Sequence, residues 1–288
     1  TYSFIDAKSA ALFGGGTDAV RVENPISSEM THLRPDLLPG LLAAAARNQA
    51  RGFMDLALFE VGPAFQGGEP GDQHLQAAGL LVGAAAQRDP HGSRRMVDVF
   101  DAKADAEAVL SALGAPARVQ ITRKVADWWH PGRSGVIGLG PNVMATFGEI
   151  HPRVLQAMDV KGPTVAFTIL IANVPAPKVK TPTRPALAIS DLQAVDRDFA
   201  FVVDTKVEAL TAVNAAQGAD KALIESVRVF DQFTGDKAEA QMGAGKKSIA
   251  LAVRLQPQDK TLTEAEIEAV SAKIIEKVTK ATGGSLRA

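Results

Sequence analysis

The stretch VRVFDQFTG, Val227 to Gly235, sets the carboxylate of Asp231 between two aromatic rings, Phe230 and Phe233. A carboxylate accepts hydrogen bonds only, and an aromatic face binds flat apolar groups, so the pair suits a planar ligand with N–H donors. The same Asp could instead cap a turn, because a polar, glycine-bearing bend follows it. Other chemistry-bearing patterns are weaker. GAGKKS (Gly243–Ser248) looks like the tail of a phosphate-binding loop, but it lacks the earlier glycine, and Lys247 stands where Ser or Thr is needed. GRSGV (Gly132–Val136) ends in Val136 where a nucleophile elbow needs glycine. GGGTD (Gly14–Asp18) reads as a flexible turn. The five histidines, His32, His74, His91, His130 and His151, never fall at metal-ligand spacing, and the chain has no cysteine. No metal site and no catalytic residue is expected. WWHPGRSG (Trp128–Gly135) gathers both tryptophans beside a histidine and an arginine; it reads as a packed corner before a strand, or as a substrate pocket.

These residues need elements to position them. Around Asp231, RDFAFVVD (Arg197–Asp204) reads as a strand, Val207–Gln217 as a helix stopped by Gly218, and Leu223–Phe233 and Lys247–Leu255 as two more strands. Thr263 with Glu266 three residues later forms a capping box that opens a helix through Thr279. Ser285–Ala288 closes as a short strand. The order β-α-β-β-α-β is the ferredoxin-like motif. Ile249, Leu251, Val253 and Leu255 share one parity and belong against the helices. Ser248, Ala250 and Ala252, with Ala200 and Val202, share the other, leaving a face of small residues that is either a flat binding surface or ordinary solvated sheet. Plain alternation puts Asp231 with Val227 and Val229, on the helix side, unless a bulge intervenes.

Upstream, candidate strands are Tyr2–Ile5, Val20–Glu23, Leu56–Val61, Ala77–Val82, Val119–Thr122, Gly135–Leu139, Met144–Ile150 and Val165–Ile171. Amphipathic helices are expected over Pro35–Arg51 and Val99–Leu113. Many strands with few crossover helices favour an α+β domain with a largely antiparallel sheet. VPAPKVKTPTRPA (Val174–Ala186) has four prolines, three cations and no acid, and reads as a semi-rigid connector. The division is then 1–173, a proline-rich linker 174–190, and 191–288.

The 288 residues carry a net charge of −1, with 46% apolar and 22% charged residues, a globular composition with no general basic field for nucleic acid. From Ala186 onward 13 Lys and Arg face 15 Asp and Glu, so any RNA contact there must be local. No apolar run is long enough to span a membrane, and no secretory signal or cysteine is present, which makes cytoplasm the expected location. A start at Thr1 inside an apparent strand suggests a piece of something longer.

Eight ordered segments carry a resemblance: LRPDLLPGLL with Asn48, LFEVGPAF, WWHPGRSG, GEIHPRVL, RDFAFVVD, VFDQFTG, GKKSIAL and TLTEAEI. Together the chain resembles, over essentially its whole length, the C-terminal part of the bacterial phenylalanyl-tRNA synthetase beta subunit. The resemblance implies a catalytic-like module of class II synthetase fold, then a ferredoxin-like anticodon-binding domain. It implies an alpha-subunit partner in a heterotetramer and tRNA(Phe) as the RNA, with no DNA and no membrane. ATP and Mg would serve the holoenzyme, with no cofactor in this stretch. Where the family's ATP-binding arginines would stand, the chain has Glu60 and an arginine-free run, Gly162–Val174, so this part alone is expected to be inactive. Asp231 would read the first anticodon base, and Phe233, where similar domains carry Tyr, would stack on it. Ala200 and Ser248 would lie beside the base; Arg197, Lys246 and Lys247 would meet phosphates. Leu37, Leu41 and Leu42, on the wide apolar stripe of Pro35–Arg51, are expected at the alpha-subunit interface. The rival is a class-II-like regulatory module that senses an amino acid and binds no RNA; a purely structural interaction protein is a third option.

Overall fold

The computed structural model describes residues 1–287 apart from 87–88, 91, 118, 177–182, 184–185 and 187–188. His91 and most of the proline-rich connector, including Pro177, Pro182 and Pro185, lie outside the described residues. The chain divides into two compact units, Thr1–Pro182 and Thr183–Ala288.

The first unit opens with β1 (Phe4–Ile5), α1 (Ala7–Leu12), β2 (His32–Leu33) and α2 (Leu38–Gln49). Then follow β3 (Leu56–Phe65), β4 (Gln73–Val82), α3 (Val99–Ala112), β5 (Gln120–Thr122), β6 (Trp129–Leu139), β7 (Asn142–Ile150), α4 (Pro152–Ala157) and β8 (Thr164–Leu170). Six strands form one sheet in the order β3-β4-β8-β7-β6-β5, every neighbouring pair antiparallel. Both faces are apolar because both are covered. Leu38, Leu41, Leu42 and Ala45 of α2 pack with Ala78, Leu80 and Ala166 on one face. Ala102, Ala106 and Leu110 of α3 pack with Ile137, Val165, Phe167 and Ile169 on the other. Close packing explains Gly79: a Cβ there would stand 2.3 Å from the Phe167 ring directly across in β8.

Two expectations fail here. Val20–Glu23 is no strand: Asp18–Val20 is a 3₁₀ turn, and only a single bridge, Arg21 to His32, pairs that stretch. Arg21 and Glu23 are exposed and Pro25 follows, so no apolar face holds the segment to a sheet. Leu37, Leu41 and Leu42 are 0%, 3% and 0% exposed. The wide stripe of α2 is wide because it fills this unit's own core, so these leucines have no surface to offer an alpha subunit.

The second unit runs β9 (Val195–Asp204), α5 (Ala209–Gln217), β10 (Ile224–Phe233), α6 (Asp236–Met242), β11 (Lys246–Leu255), α7 (Glu264–Thr282) and β12 (Ser285–Leu286). Its antiparallel sheet has the order β10-β11-β9-β12, the ferredoxin arrangement. Ile267, Val270, Ile274 and Val278 give α7 a buried stripe, which packs with Phe199, Phe201, Ile249, Leu251 and Val253. The Thr263–Glu266 capping box forms, and Gly283 at φ 66° ends the helix. Glu266 also pairs with Lys260 at 2.8 Å, and the Lys260 and Thr263 hydrogen bonds pull its pKa down to about 2. The bend after Phe233 holds the short helix α6 between Gly235 and Gly243, both at positive φ. No described helix is long and apolar enough to cross a membrane.

Candidate nucleic-acid interface and a second cavity

Strand β10 breaks its own alternation. Val229 pairs with Leu251 of β11, but the next pair is Asp231 with Ala250, so Phe230 is an extra, bulged residue. The bulge resets parity. Val227 and Val229 face the helices, whereas Asp231 and Phe233 face the opposite side, across from Ala250 and Ser248. Ala200 of β9 pairs with Ala250 and joins the same face. Four residues expected from sequence to meet a base therefore share one patch. Asp231 is exposed, and its carboxylate has no hydrogen-bond or ion-pair partner among the described residues, which removes the turn-capping reading. Ser248 is buried and Ala250 nearly so, and the Phe233 ring stands at the edge of the patch.

The three expected phosphate cations separate. Lys246 has the parity of Ser248 and lies on the Asp231 face. Lys247 has the parity of Ile249 and is buried at 7% exposure, on the helix side. Arg197 pairs in register with Val253, also on the helix side, with its guanidinium 4.0 Å from Glu264 of α7. A cation that sequence reasoning passed over stands at the patch instead. Arg287 has its guanidinium carbon 5.8 Å from the centre of the Phe233 ring, donates Nη2 to Gln241 of α6, and donates its backbone N–H to the Ala200 carbonyl. Only its place after the short β12 could have flagged it.

In the first unit, Glu60 is already engaged. Its Oε1 accepts from Nη1 of Arg34 at 2.7 Å, and Arg34, 1% exposed, also donates Nε to the Pro63 carbonyl. Burial opposes ionisation of Glu60, yet the hydrogen bonds from Thr1 and Arg34 outweigh it and hold its pKa below the ordinary value. Gly62 leaves room for this pair, since a Cβ there would stand 2.7 Å from Nη2 of Arg34.

The same unit encloses a cavity of about 500 Å³ on the α2 face of its sheet. Its floor is a row of cross-strand neighbours, Thr168, Thr146 and Val136, on β8, β7 and β6. Asp36, at the entry to α2, lines one wall: its Oδ1 accepts the Leu38 N–H at 2.8 Å, and burial pushes its carboxyl up to about 6 against that bond. Gln76 accepts the Leu37 N–H and meets Nε2 of His74 at 3.0 Å; burial pulls the His74 pKa down. Both tryptophans line the cavity, so WWHPGRSG is a packed corner and a pocket wall at once: Trp129 is 2% exposed in the core, and the Trp128 indole N–H is buried without a partner among the described residues. The signal for Asp36 lay within LRPDLLPGLL, where an acid precedes an apolar helix. Among the described residues no cluster of three or more His, Asp or Glu could hold a metal.

A ferredoxin fold with an accessible carboxylate and ring on its small-residue face defines a class, and residues 190–287 match the family model of the ferredoxin-fold anticodon binding domain. Residues 1–171 match the phenylalanyl tRNA synthetase beta chain CLM domain, and the chain belongs to the phenylalanyl-tRNA synthetase beta chain family. Similar curated proteins, each named phenylalanine–tRNA ligase beta subunit, come from Cereibacter sphaeroides (80% identical over 287 residues), Ruegeria pomeroyi (69% over 288) and Rhodospirillum rubrum (53% over 289). Each match covers all of this chain but 36% of the relative, so the chain spans about a third of their length. Among solved structures, a pyrrolysyl tRNA synthetase from Desulfitobacterium hafniense aligns at TM-score 0.43 and 16% identity, over 59% of this chain and 58% of that one.

Proposed function

We propose that this chain is the non-catalytic, RNA-reading part of a phenylalanine–tRNA ligase beta subunit. Residues 191–288 bind the anticodon of tRNA(Phe), and residues 1–173 form a catalytic-like module that supports an alpha-subunit active site. The assembled ligase, a cytoplasmic heterotetramer using ATP and Mg, joins phenylalanine to its tRNA. The observation that carries the reading is the bulge at Phe230, which brings Asp231 and Phe233 onto one face with Ala200, Ser248 and Ala250. An exposed carboxylate without a partner suits the paired N–H donors of a guanine edge, at about 1–3 kcal/mol of discrimination. Stacking on Phe233 adds about 1–3 kcal/mol with little base preference. Arg287 now occupies the ring, but an exposed cation–π contact is worth about 0.5–1 kcal/mol, so a stacking base displaces it.

The commitment of Glu60 to Arg34 supports the absence of catalysis by this module, because the acid holds an internal guanidinium where a nucleotide would need a free one. With the α2 leucines buried, apolar surface for the alpha subunit is better sought on the other face of the sheet. There Phe59, Val61 and Phe100 are 83%, 58% and 72% exposed, the first two along a groove of about 460 Å³.

The test is tRNA binding by the ligase reconstituted with its alpha subunit, on wild-type tRNA and on variants of the first anticodon base. Asp231→Ala should weaken binding to the guanine-bearing anticodon more than to the variants, and Phe233→Ala should weaken all of them similarly. Lys246→Ala should chiefly flatten the salt dependence. A guanine preference unchanged in Asp231→Ala would overturn the assignment.

A further inference from the structure

We propose that the cavity on the α2 face of the six-stranded sheet binds a free amino acid with an aromatic or large apolar side chain. This site lies in the first unit and goes beyond the anticodon reading. Its volume of about 500 Å³ falls within the range of small-molecule sites, roughly 300–1,000 Å³. The chemistry of its lining matches the three parts of such a ligand. Phe13, Phe65 and the two tryptophans supply apolar wall. Phe13 and Trp128 stand 5.7 Å apart, with their rings tilted rather than stacked.

Asp36 supplies the acidic wall. The Leu38 N–H takes one acceptor position of its Oδ1, and a carboxylate has about four, so acceptor capacity remains for a further donor. Arg34, whose charge acts on it, is committed to Glu60 and Pro63. Burial works against an ionised Asp36, and an ammonium brought beside it would reverse that penalty.

The Trp128 indole N–H is the complementary feature. Among the described residues it is buried with no acceptor, and a buried donor left unmade is costly unless something fills it. Lys124 lines the same cavity and is exposed. An acceptor with negative charge answers both. Ammonium for Asp36, carboxylate for Trp128 and Lys124, and an apolar body among the rings together describe a zwitterionic amino acid. A plain apolar molecule leaves both polar walls unmatched, and a small polar amino acid leaves the aromatic wall wet.

The molecule carries its own reporter, because its two tryptophans both line the cavity. Intrinsic fluorescence of the 288-residue chain would be titrated with L-phenylalanine, L-leucine, 3-phenylpropanoate (no ammonium) and 2-phenylethylamine (no carboxylate). The expected result is a saturable change with the amino acids, and affinity lower by roughly tenfold for each truncated analogue. Asp36→Asn should lower amino-acid affinity by roughly tenfold while leaving 3-phenylpropanoate unaffected. Thr168→Leu, which fills the floor, should abolish the signal with an unchanged melting curve; should that variant unfold, Asp36→Asn decides alone. Absence of saturable change up to roughly 10 mM with every probe, or equal amino-acid affinity in Asp36→Asn, overturns the proposal. Neither result touches the anticodon assignment, which is read by tRNA binding.

Discussion

Replacing Asp36 by Asn should change how the first unit responds to pH. Burial raises the Asp36 carboxyl from an ordinary 3.8 to about 6, so the folded chain holds this proton more tightly than the unfolded chain does. A group raised in this way stabilises the fold most below its unfolded pKa, and that stability is lost as pH rises through the folded value. At about 1.36 kcal/mol per pH unit, moving from 3.8 to about 6 is worth about 3 kcal/mol in full. Roughly 2 kcal/mol of it should be recovered between pH 7.5 and 4.5. Asn keeps an acceptor for the Leu38 N–H but cannot titrate. Asp105, raised by burial, acts in the same direction, whereas His74, lowered by burial, acts against it. The quantity to compare is therefore the wild-type curve minus the Asp36→Asn curve. Urea unfolding followed by tryptophan fluorescence isolates this unit, since both tryptophans lie in it. Parallel curves for the two proteins across that window would refute the reasoning, because Asp36 would then titrate alike folded and unfolded.

The other expectations concern single contacts. Glu60→Gln should destabilise the first unit by about 3–5 kcal/mol in the same urea assay, because it leaves the guanidinium of Arg34 buried without its counter-charge. Phe59→Glu should weaken association with the alpha subunit in analytical ultracentrifugation without altering the melting curve, since Phe59 is largely exposed, whereas Leu42→Glu should unfold the unit. Deleting Phe230 should leave Asp231 opposite Ala250 and preserve the guanine preference in tRNA binding. Deleting Gln232 should carry Phe233 to the helix side and abolish stacking on it.

Periodicity made the second unit legible almost residue by residue. Strand β9 alternates cleanly, the capping box fixes the start of α7, and the ferredoxin order follows. Alternation misplaced Asp231 because a bulge is a two-strand property: it exists only in the register of β10 against β11. Helix α6 escaped notice because its polar sequence, DKAEAQM, has only Ala238 buried and so carries almost no apolar period. In the first unit the helix at Leu38–Gln49 was readable, but its partner was not. A wide apolar stripe says that a surface is covered without saying by what, and here the cover is the chain's own sheet. The cavity was invisible for a related reason. Asp36, Gln76, Thr168 and Trp128 come from four separate stretches of sequence, and only tertiary packing brings them to one volume.

The extra residue in β10 also divides the strand by what selection acts on. Val227 and Val229, before Phe230, are constrained by the core they fill, so a change at either is felt in every folded molecule, whatever it binds. Asp231 and Phe233, after it, answer to the outer face. Asp231 and Phe233 can therefore vary with the nucleic acid they meet while the hydrophobic interior stays as it was, two kinds of inheritance carried on ten consecutive residues.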